Sequence, residues 1–179
     1  MKNLILVALA ALCLASCQKQ ISSLPETTQT GANTFGAKIN GDLWGPIGFG
    51  IVPTSPILEA RYSDENSIFI NARNFGAEPN ESEMEIYLKN VTKAGTISLN
   101  QNTYEYPNQS ASYAYFVKRE VNPKAIWMTN SQFGGWVNIS RIDRENKIIS
   151  GTFEFTAPPQ MGSTTNIVVS EGRFDVRIQ

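Results

Sequence analysis

Histidine is absent from this chain of 179 residues, and its only two cysteines, Cys13 and Cys17, stand close to its start. Without histidine there is no Ser-His-Asp triad, no Cys-His pair and no histidine-based zinc site. Chemistry with two carboxylates or with a Ser-Lys pair needs neither histidine nor cysteine, and both stay open. These absences favour a protein that is not an enzyme, and they predict no cofactor and no metal.

A long apolar run and an excess of charge of one sign are also missing. The main apolar run covers residues 4–12, whereas a membrane-spanning helix needs about 20 residues. Fifteen Lys and Arg residues nearly balance sixteen Asp and Glu residues, and the basic residues form no stripe. Nucleic acid is therefore not an expected partner.

The first residues have the pattern of an export signal. Lys2 precedes the apolar run, and Leu14-Ala-Ser-Cys17 follows it. This ending resembles the bacterial lipobox, and the resemblance implies transfer of a diacylglycerol to the Cys17 thiol, cleavage before Cys17 and fatty acylation (palmitate or a similar chain) of the new amino terminus. Two or more acyl chains anchor a protein stably in a membrane. The alternative is an ordinary secretory signal that ends in cysteine.

Three regions are predicted from these features. Residues 1–16 are a lipoprotein signal peptide, residues 17–33 are the lipidated cysteine with a flexible polar tether, and residues 34–179 are a single all-β domain. The residues that follow Cys17 include neither an acidic run nor an aspartate at position 18. We therefore expect a lipid-anchored protein of the outer membrane, and we favour the periplasmic face over surface display.

Alternation of apolar and polar residues predicts strands along the whole domain. Residues 35–39 alternate and are followed by Asn40-Gly41, a dipeptide suited to a tight hairpin turn. In the last third, Phe153 and Phe155 are predicted to point inward, with Thr152 and Glu154 outward. The final strand changes parity along its length, and a bulge at Gly172 would restore the pattern.

About nine or ten short strands with short turns predict an antiparallel all-β fold. The pattern leaves two architectures open, a β-sandwich and a closed β-barrel. The barrel considered as the alternative is a calycin-like one. No stretch has the period and caps of a helix. Residues 157–166, rich in Pro, Gly, Ser and Thr, are predicted to form a loop.

The domain resembles a family of uncharacterised outer-membrane lipoproteins from Bacteroidota. The residues that carry the resemblance are the opening Phe35-Gly-Ala-Lys-Ile-Asn-Gly-Asp-Leu-Trp44 and two later blocks, Gly151-Thr-Phe-Glu-Phe155 and Gly172-Arg-Phe-Asp-Val176. The resemblance implies the fold and the cell envelope, and it assigns no catalytic residue.

Aromatic residues beside amides and carboxylates supply candidates for a ligand site. Tyr104 and Tyr106 lie in a predicted loop. The alternative to a ligand site is that both tyrosines only pack over this loop. Trp136 has the parity of an outward-facing residue, and Trp127 lies in a short strand whose faces the pattern does not assign. Trp44, at the end of the first hairpin, is predicted to lie in the core.

An acidic run, Glu78, Glu81, Glu83 and Glu85, offers oxygen ligands of the kind that Ca²⁺ takes. The run lacks the spacing of a calcium loop, so the sequence predicts a solvated strand face instead. Glu154 could also form an ion pair with Arg173 or Arg177 across neighbouring strands.

Taken together, the sequence predicts a membrane-anchored, non-catalytic binding or envelope-assembly module. Its partners are membrane lipid through Cys17 and one of three others: a glycan, a small apolar molecule or an envelope protein. The alternatives are a carboxylate-dependent enzyme acting on glycans and a purely structural envelope protein.

Overall fold

In a computed structural model of the chain, the structure describes residues 20–48, 56–76, 81–103, 109–119 and 124–179. These residues form twelve strands and contain no helix. In chain order the strands are β1 (Thr34–Ile39), β2 (Asp42–Trp44), β3 (Leu58–Tyr62), β4 (Ile68–Asn74), β5 (Ser82–Leu88), β6 (Gly95–Ser98), β7 (Tyr113–Lys118), β8 (Ala125–Met128), β9 (Gly135–Asp143), β10 (Ile148–Ala157), β11 (Pro159–Met161) and β12 (Ile167–Arg177).

The strands form two antiparallel sheets of six. The first sheet has the order β2-β1-β12-β10-β9-β6, and the second has the order β11-β8-β7-β5-β4-β3. Hydrogen-bonded ladders do not close the described strands into a barrel. The all-β prediction is confirmed, and of the two architectures that the sequence left open the structure has the sandwich.

The predicted hairpin turn at Asn40-Gly41 is confirmed. Asn40 has a φ of 51° and Gly41 a φ of 93°, so both central residues of the turn are in the left-handed region. Two consecutive positive φ angles match the twist of a two-residue hairpin, and glycine adopts them at no steric cost. The turn places β2 beside β1, with Ala37 opposite Trp44.

The core lies between the two sheets and is rich in aromatic rings. Phe35 packs on Phe153 at 5.2 Å between ring centroids, and Trp44 packs edge-on against Phe116 of the second sheet at 5.8 Å. The Trp44 indole N–H also donates to Ser82 Oγ at 2.9 Å, which satisfies its one polar atom inside the core. The core position predicted for Trp44 is confirmed.

The predicted irregularity of the last strand is also confirmed. Phe153 pairs with Gly172 and Phe155 pairs with Val169, so Glu154 lies opposite two residues of β12, Ser170 and Glu171. This bulge lies directly before Gly172, and Glu171 takes a φ of 52°. The extra residue lets both halves of β12 bury their apolar side chains, as the parity of the sequence requires.

Candidate functional site

A segment before β1 crosses the outer face of the first sheet. We call residues 20–33 the N-terminal strap. The side chain of Ile21 and the ring of Pro25 lie over Gly36, where a Cβ atom would come within 2.7 Å of Pro25 Cδ. Arg173 Nη1 donates to Pro25 O at 3.0 Å. The strap therefore packs on the sheet, and this described part of the predicted tether is held by the domain.

Asp175 fixes the strap to the sheet. Its side chain points outward, as the alternation predicts, yet Asp175 is only 1% exposed because the strap covers it. The carboxylate accepts hydrogen bonds from Thr28 Oγ1 at 2.6 Å, from Ser150 Oγ at 2.7 Å and from the backbone amides of Thr30, Gly31 and Ala32 at 2.8–3.1 Å. No local sequence pattern marks this cluster, because its donors lie more than 140 residues away along the chain or on another strand.

The hydrogen bonds at Asp175 decide its protonation. Burial raises the pKa of a carboxyl group, but the donors at Thr28, Ser150, Thr30 and Ala32 outweigh burial and hold the pKa of Asp175 well below its ordinary value of 3.8. Asp175 is thus a charged group that holds a segment in place.

Next to the strap, Trp136 lines an open depression on the same face. Trp136 is 36% exposed, so the outward position predicted for it is confirmed. The depression has a volume of about 290 Å³, and its lining includes Thr27 of the strap and three charged residues, Glu154, Glu171 and Arg173. We call it the Trp136 depression.

The carboxylates of the depression have defined partners. Glu171 forms an ion pair with Lys38 at 2.6 Å, and its backbone amide donates to Glu154 Oε1 at 3.4 Å. The ion pair considered for Glu154 with Arg173 or Arg177 does not occur among the described residues, because both guanidinium groups donate to backbone carbonyls of the strap. The lining of the depression thus combines an exposed indole with carboxylate and guanidinium groups.

The structure places Trp127 in the core. Its ring lies 5.8 Å from that of Phe116, and its indole N–H donates to Thr165 O at 2.8 Å. Trp127 is 5% exposed, so it is buried, and it does not line the Trp136 depression. Tyr104, Tyr106 and Cys17, the other predicted site residues, lie outside the residues that the structure describes.

The prediction of a solvated acidic face is wrong for two of its members. Glu83 and Glu85 of β5 are only 6% and 7% exposed. Glu83 accepts hydrogen bonds from Asn71 Nδ2 at 2.6 Å and from Arg119, and Glu85 accepts one from Tyr113 Oη at 2.8 Å. Glu81 is partly buried, and Glu78 lies outside the described residues.

One signal could have revealed this burial. Phe69, Tyr87, Tyr113 and Tyr115 all have outward parity on β4, β5 and β7, and they form a second apolar cluster on the outer face of the second sheet. Four aromatic rings on a face that is otherwise polar indicate a covered surface. Burial there raises the pKa of the Tyr115 phenol above 10, which Arg119 partly counteracts.

Two further properties of the described residues bear on the kind of site. No group of three or more Asp and Glu side chains lies close enough together to hold a metal ion in the described ranges. The same part of the chain contains no helix that is long and apolar enough to cross a membrane.

Comparison with known proteins gives one match. A family model described as a Domain of unknown function (DUF6252) matches residues 32–176, which include both sheets. No curated protein and no solved structure matches the chain. The match covers most of the chain and assigns no activity to it. The chain belongs to the family of the Domain of unknown function DUF6252.

Proposed function

We propose that the chain is an exported lipoprotein, of the kind found in Bacteroidota, that binds a saccharide without catalysing a reaction. The support for export and lipidation is the order of Lys2, the apolar run and Leu14-Ala-Ser-Cys17. The proposed place is the periplasmic side of the outer membrane, with lipid attached at Cys17.

The observation that carries the binding proposal is the exposed indole of Trp136 in the depression. The chain has three tryptophans, and the other two, Trp44 and Trp127, are buried. An aromatic face accepts the C–H face of a sugar ring, while nearby carboxylate and guanidinium groups bond to its hydroxyls. A volume of about 290 Å³ suits one or two sugar rings and lies near the lower end of ligand sites.

The test is the binding of four soluble tetrasaccharides, derived from cellulose, chitin, starch and xylan, to the purified chain by titration calorimetry. At least one should bind, and Trp136→Ala should weaken it about tenfold or more, as expected for a central aromatic contact. Quenching of tryptophan fluorescence by iodide should fall when that tetrasaccharide is bound, because Trp136 is the exposed indole.

Phe133→Ala is the matched control, because Phe133 is 38% exposed but does not line the depression. The Phe133→Ala variant should bind the tetrasaccharide with the same affinity as the wild type. If none of the four binds, or if the Trp136 variant binds as tightly as the wild type, the proposed site is wrong and a structural role gains support.

The second candidate is hydrolysis of the glycan, and it is favoured by one observation: Glu154 and Glu171 line the same depression. Two carboxylates are the usual machinery for cleaving a glycosidic bond. Incubation of the same tetrasaccharides with the chain should release no reducing ends. If the chain does release reducing ends and Glu154→Gln abolishes this release, the proposal of binding without catalysis is wrong and the chain is a hydrolase.

A further inference from the structure

The N-terminal strap supplies one part of the wall of the Trp136 depression. The rest of the lining comes from β9, β10 and β12 of the first sheet, and the strap adds Thr27. The Thr28 amide donates to Glu26 O at 3.1 Å, which makes a three-residue turn with Thr27 at its centre. The depression is therefore complete only while this turn lies against the sheet.

Contacts on both sides of Thr27 hold the turn on β12. Before Thr27, Pro25 O accepts a hydrogen bond from Arg173 Nη1 at 3.0 Å. After Thr27, the Thr28 hydroxyl donates to the Asp175 carboxylate at 2.6 Å. Arg173 and Asp175 are two positions apart on one strand, so the turn is held at two points of the same element. The place of Thr27 in the wall follows from these two contacts.

Asp175 supplies most of the hold on the strap, although it does not line the depression. Four of its five close donors belong to the strap, and three of these are the consecutive backbone amides of residues 30–32. Arg141 and Arg177 also donate to strap carbonyls, but these hydrogen bonds are exposed, so water competes with them. Loss of the Asp175 contacts should therefore release the turn from the sheet.

A ligand in the depression would contact the strap and the sheet together. Arg173 belongs to both, because it lines the depression and donates to Pro25 O. Contacts between a sugar and Thr27 form only when the strap is docked, so the ligand binds the docked form more tightly than the released form. By linkage, a bound ligand favours docking of the strap by the same factor.

Building on the saccharide site proposed above, we propose that the docked strap completes the Trp136 depression and that Asp175 is a positioning residue for ligand binding. Asp175 acts through the strap, which it holds so that Thr27 stands in the wall of the site. Saccharide binding and strap docking therefore stabilise each other.

The first measurement is the affinity of the full chain for the tetrasaccharide that it binds most tightly. Thr28→Val removes one strap donor to Asp175, keeps the shape of the side chain and leaves the lining residues unchanged, and its Kd should rise about fivefold or more. Asp175→Asn should raise the Kd at least as much. The matched control is Ser140→Ala, which removes a hydroxyl hydrogen bond within the sheet, to Ser150 O at 3.2 Å, and should leave the Kd unchanged.

Cleavage by glutamyl endopeptidase after Glu26 measures strap docking without a ligand. A protease binds several extended residues around the bond that it cuts, so cleavage requires the strap to leave the sheet. Mass spectrometry of the fragments should show cleavage about fivefold or more faster in Thr28→Val than in the wild type or in Ser140→Ala. A saturating concentration of the tetrasaccharide should slow this cleavage in the wild type.

The Trp136 indole ¹H–¹⁵N signal of the ligand-free, labelled full chain, assigned by its loss in Trp136→Phe, measures the shape of the depression. It should move in Thr28→Val and in Asp175→Asn and keep its position in Ser140→Ala. Unchanged cleavage, or an unmoved indole signal, in both strap variants would overturn the proposal whether or not a tetrasaccharide binds.

Faster cleavage with an unchanged Kd would also overturn the positioning role of Asp175, and it would leave binding at the depression intact. Failure of all four tetrasaccharides to bind would instead overturn the saccharide site. In that case the cleavage rate and the indole signal still decide whether the strap shapes the depression.

Discussion

Asp175 shows how one residue can combine burial and full charge. Its five close donors come from the strap and from β10, and they replace the water that the carboxylate loses on folding. Hydrogen bonds to a charged acceptor are stronger than those between neutral groups. Alternation in β12 placed this side chain on the outer face, but it could not show that the strap lies above it.

Replacing Asp175 by Asn should destabilise the protein by about 2–4 kcal/mol, because the amide nitrogen would meet backbone amides and would leave buried groups unpaired. Urea unfolding at pH 7 measures this change. Asp42→Asn, on an exposed position of β2, is the control and should stay within about 0.5 kcal/mol. Equal stabilities of the two variants would show that Asp175 does not hold the strap.

The stability difference between wild type and Asp175→Asn should depend on pH. A carboxyl group with a folded-state pKa below its ordinary value stabilises the fold above that ordinary value, near 3.8, and loses this contribution as pH falls toward the folded-state pKa. The difference should therefore be constant from pH 7 to about 5 and shrink below about pH 4. Unfolding curves at pH 7, 5, 4, 3 and 2.5 test this, and a constant difference over the whole range would contradict it.

Among the elements, β10 and β12 are those whose packing the sequence predicts best. Phe153 is fully buried and Phe155 nearly so, while Glu154 between them is exposed. The elements that alternation describes poorly are β4, β5 and β7, where both faces are buried. Glu83 and Glu85 alternate with Met84 and Ile86 just as residues of a half-exposed strand do, so their burial depends on cover that a strand pattern does not contain.

Phe153→Ala should cost about 3–5 kcal/mol, from the lost transfer of the ring out of water and from the cavity left among Phe35, Phe155 and Phe174. Glu154→Ala, one position away on the outer face, should change stability by about 1 kcal/mol or less. Denaturant unfolding of both variants provides the comparison. If the glutamate variant proved as damaging as the phenylalanine variant, Glu154 would have a structural role that its exposure does not explain.

For the whole molecule, the sequence predicts the all-β class but not the sandwich, because alternation is the same in an open sheet and in a closed one. It also predicts fewer strands than the described residues contain. One reason is β11, which falls inside the predicted loop 157–166. This strand has three residues, starts with a proline at the edge of its sheet and depends on pairing with β8, so no local pattern marks it.

The candidate sites were only partly predictable, because they depend on contacts between segments that lie far apart in the chain. Parity places Trp136 on an outer face, and the outward aromatic residues point to a covered surface on the second sheet. The depression itself needs Thr27 of the strap and the bulge at Glu171 to meet beside Trp136. Contacts between residues so far apart in the chain follow from the fold and have no local signature.

Anchoring is a property of the whole molecule and is tested at Cys17. Cys17→Ser should abolish incorporation of labelled palmitate and leave the protein uncleaved or mislocalised in a bacterial host, because the thiol is the proposed site of diacylglycerol transfer. Ser16→Ala is the control, since alanine is also a small residue before the cysteine. A Cys17→Ser protein that is still labelled and sediments with membranes would contradict the proposed anchor.

The strap changes the distance at which such an anchored domain would stand from its membrane. Gln20 Oε1 accepts a hydrogen bond from Asn74 Nδ2 at 3.4 Å, so the chain is already in contact with the sandwich three residues after Cys17. Three residues span about 10 Å at most, whereas the sixteen residues of a free tether would span about 50 Å. The end of the sandwich near Asn74 and Gly45 would then lie close to the lipid headgroups. Ligands would then be bound only close to the membrane surface, because so short a tether would not let the domain extend away from the bilayer.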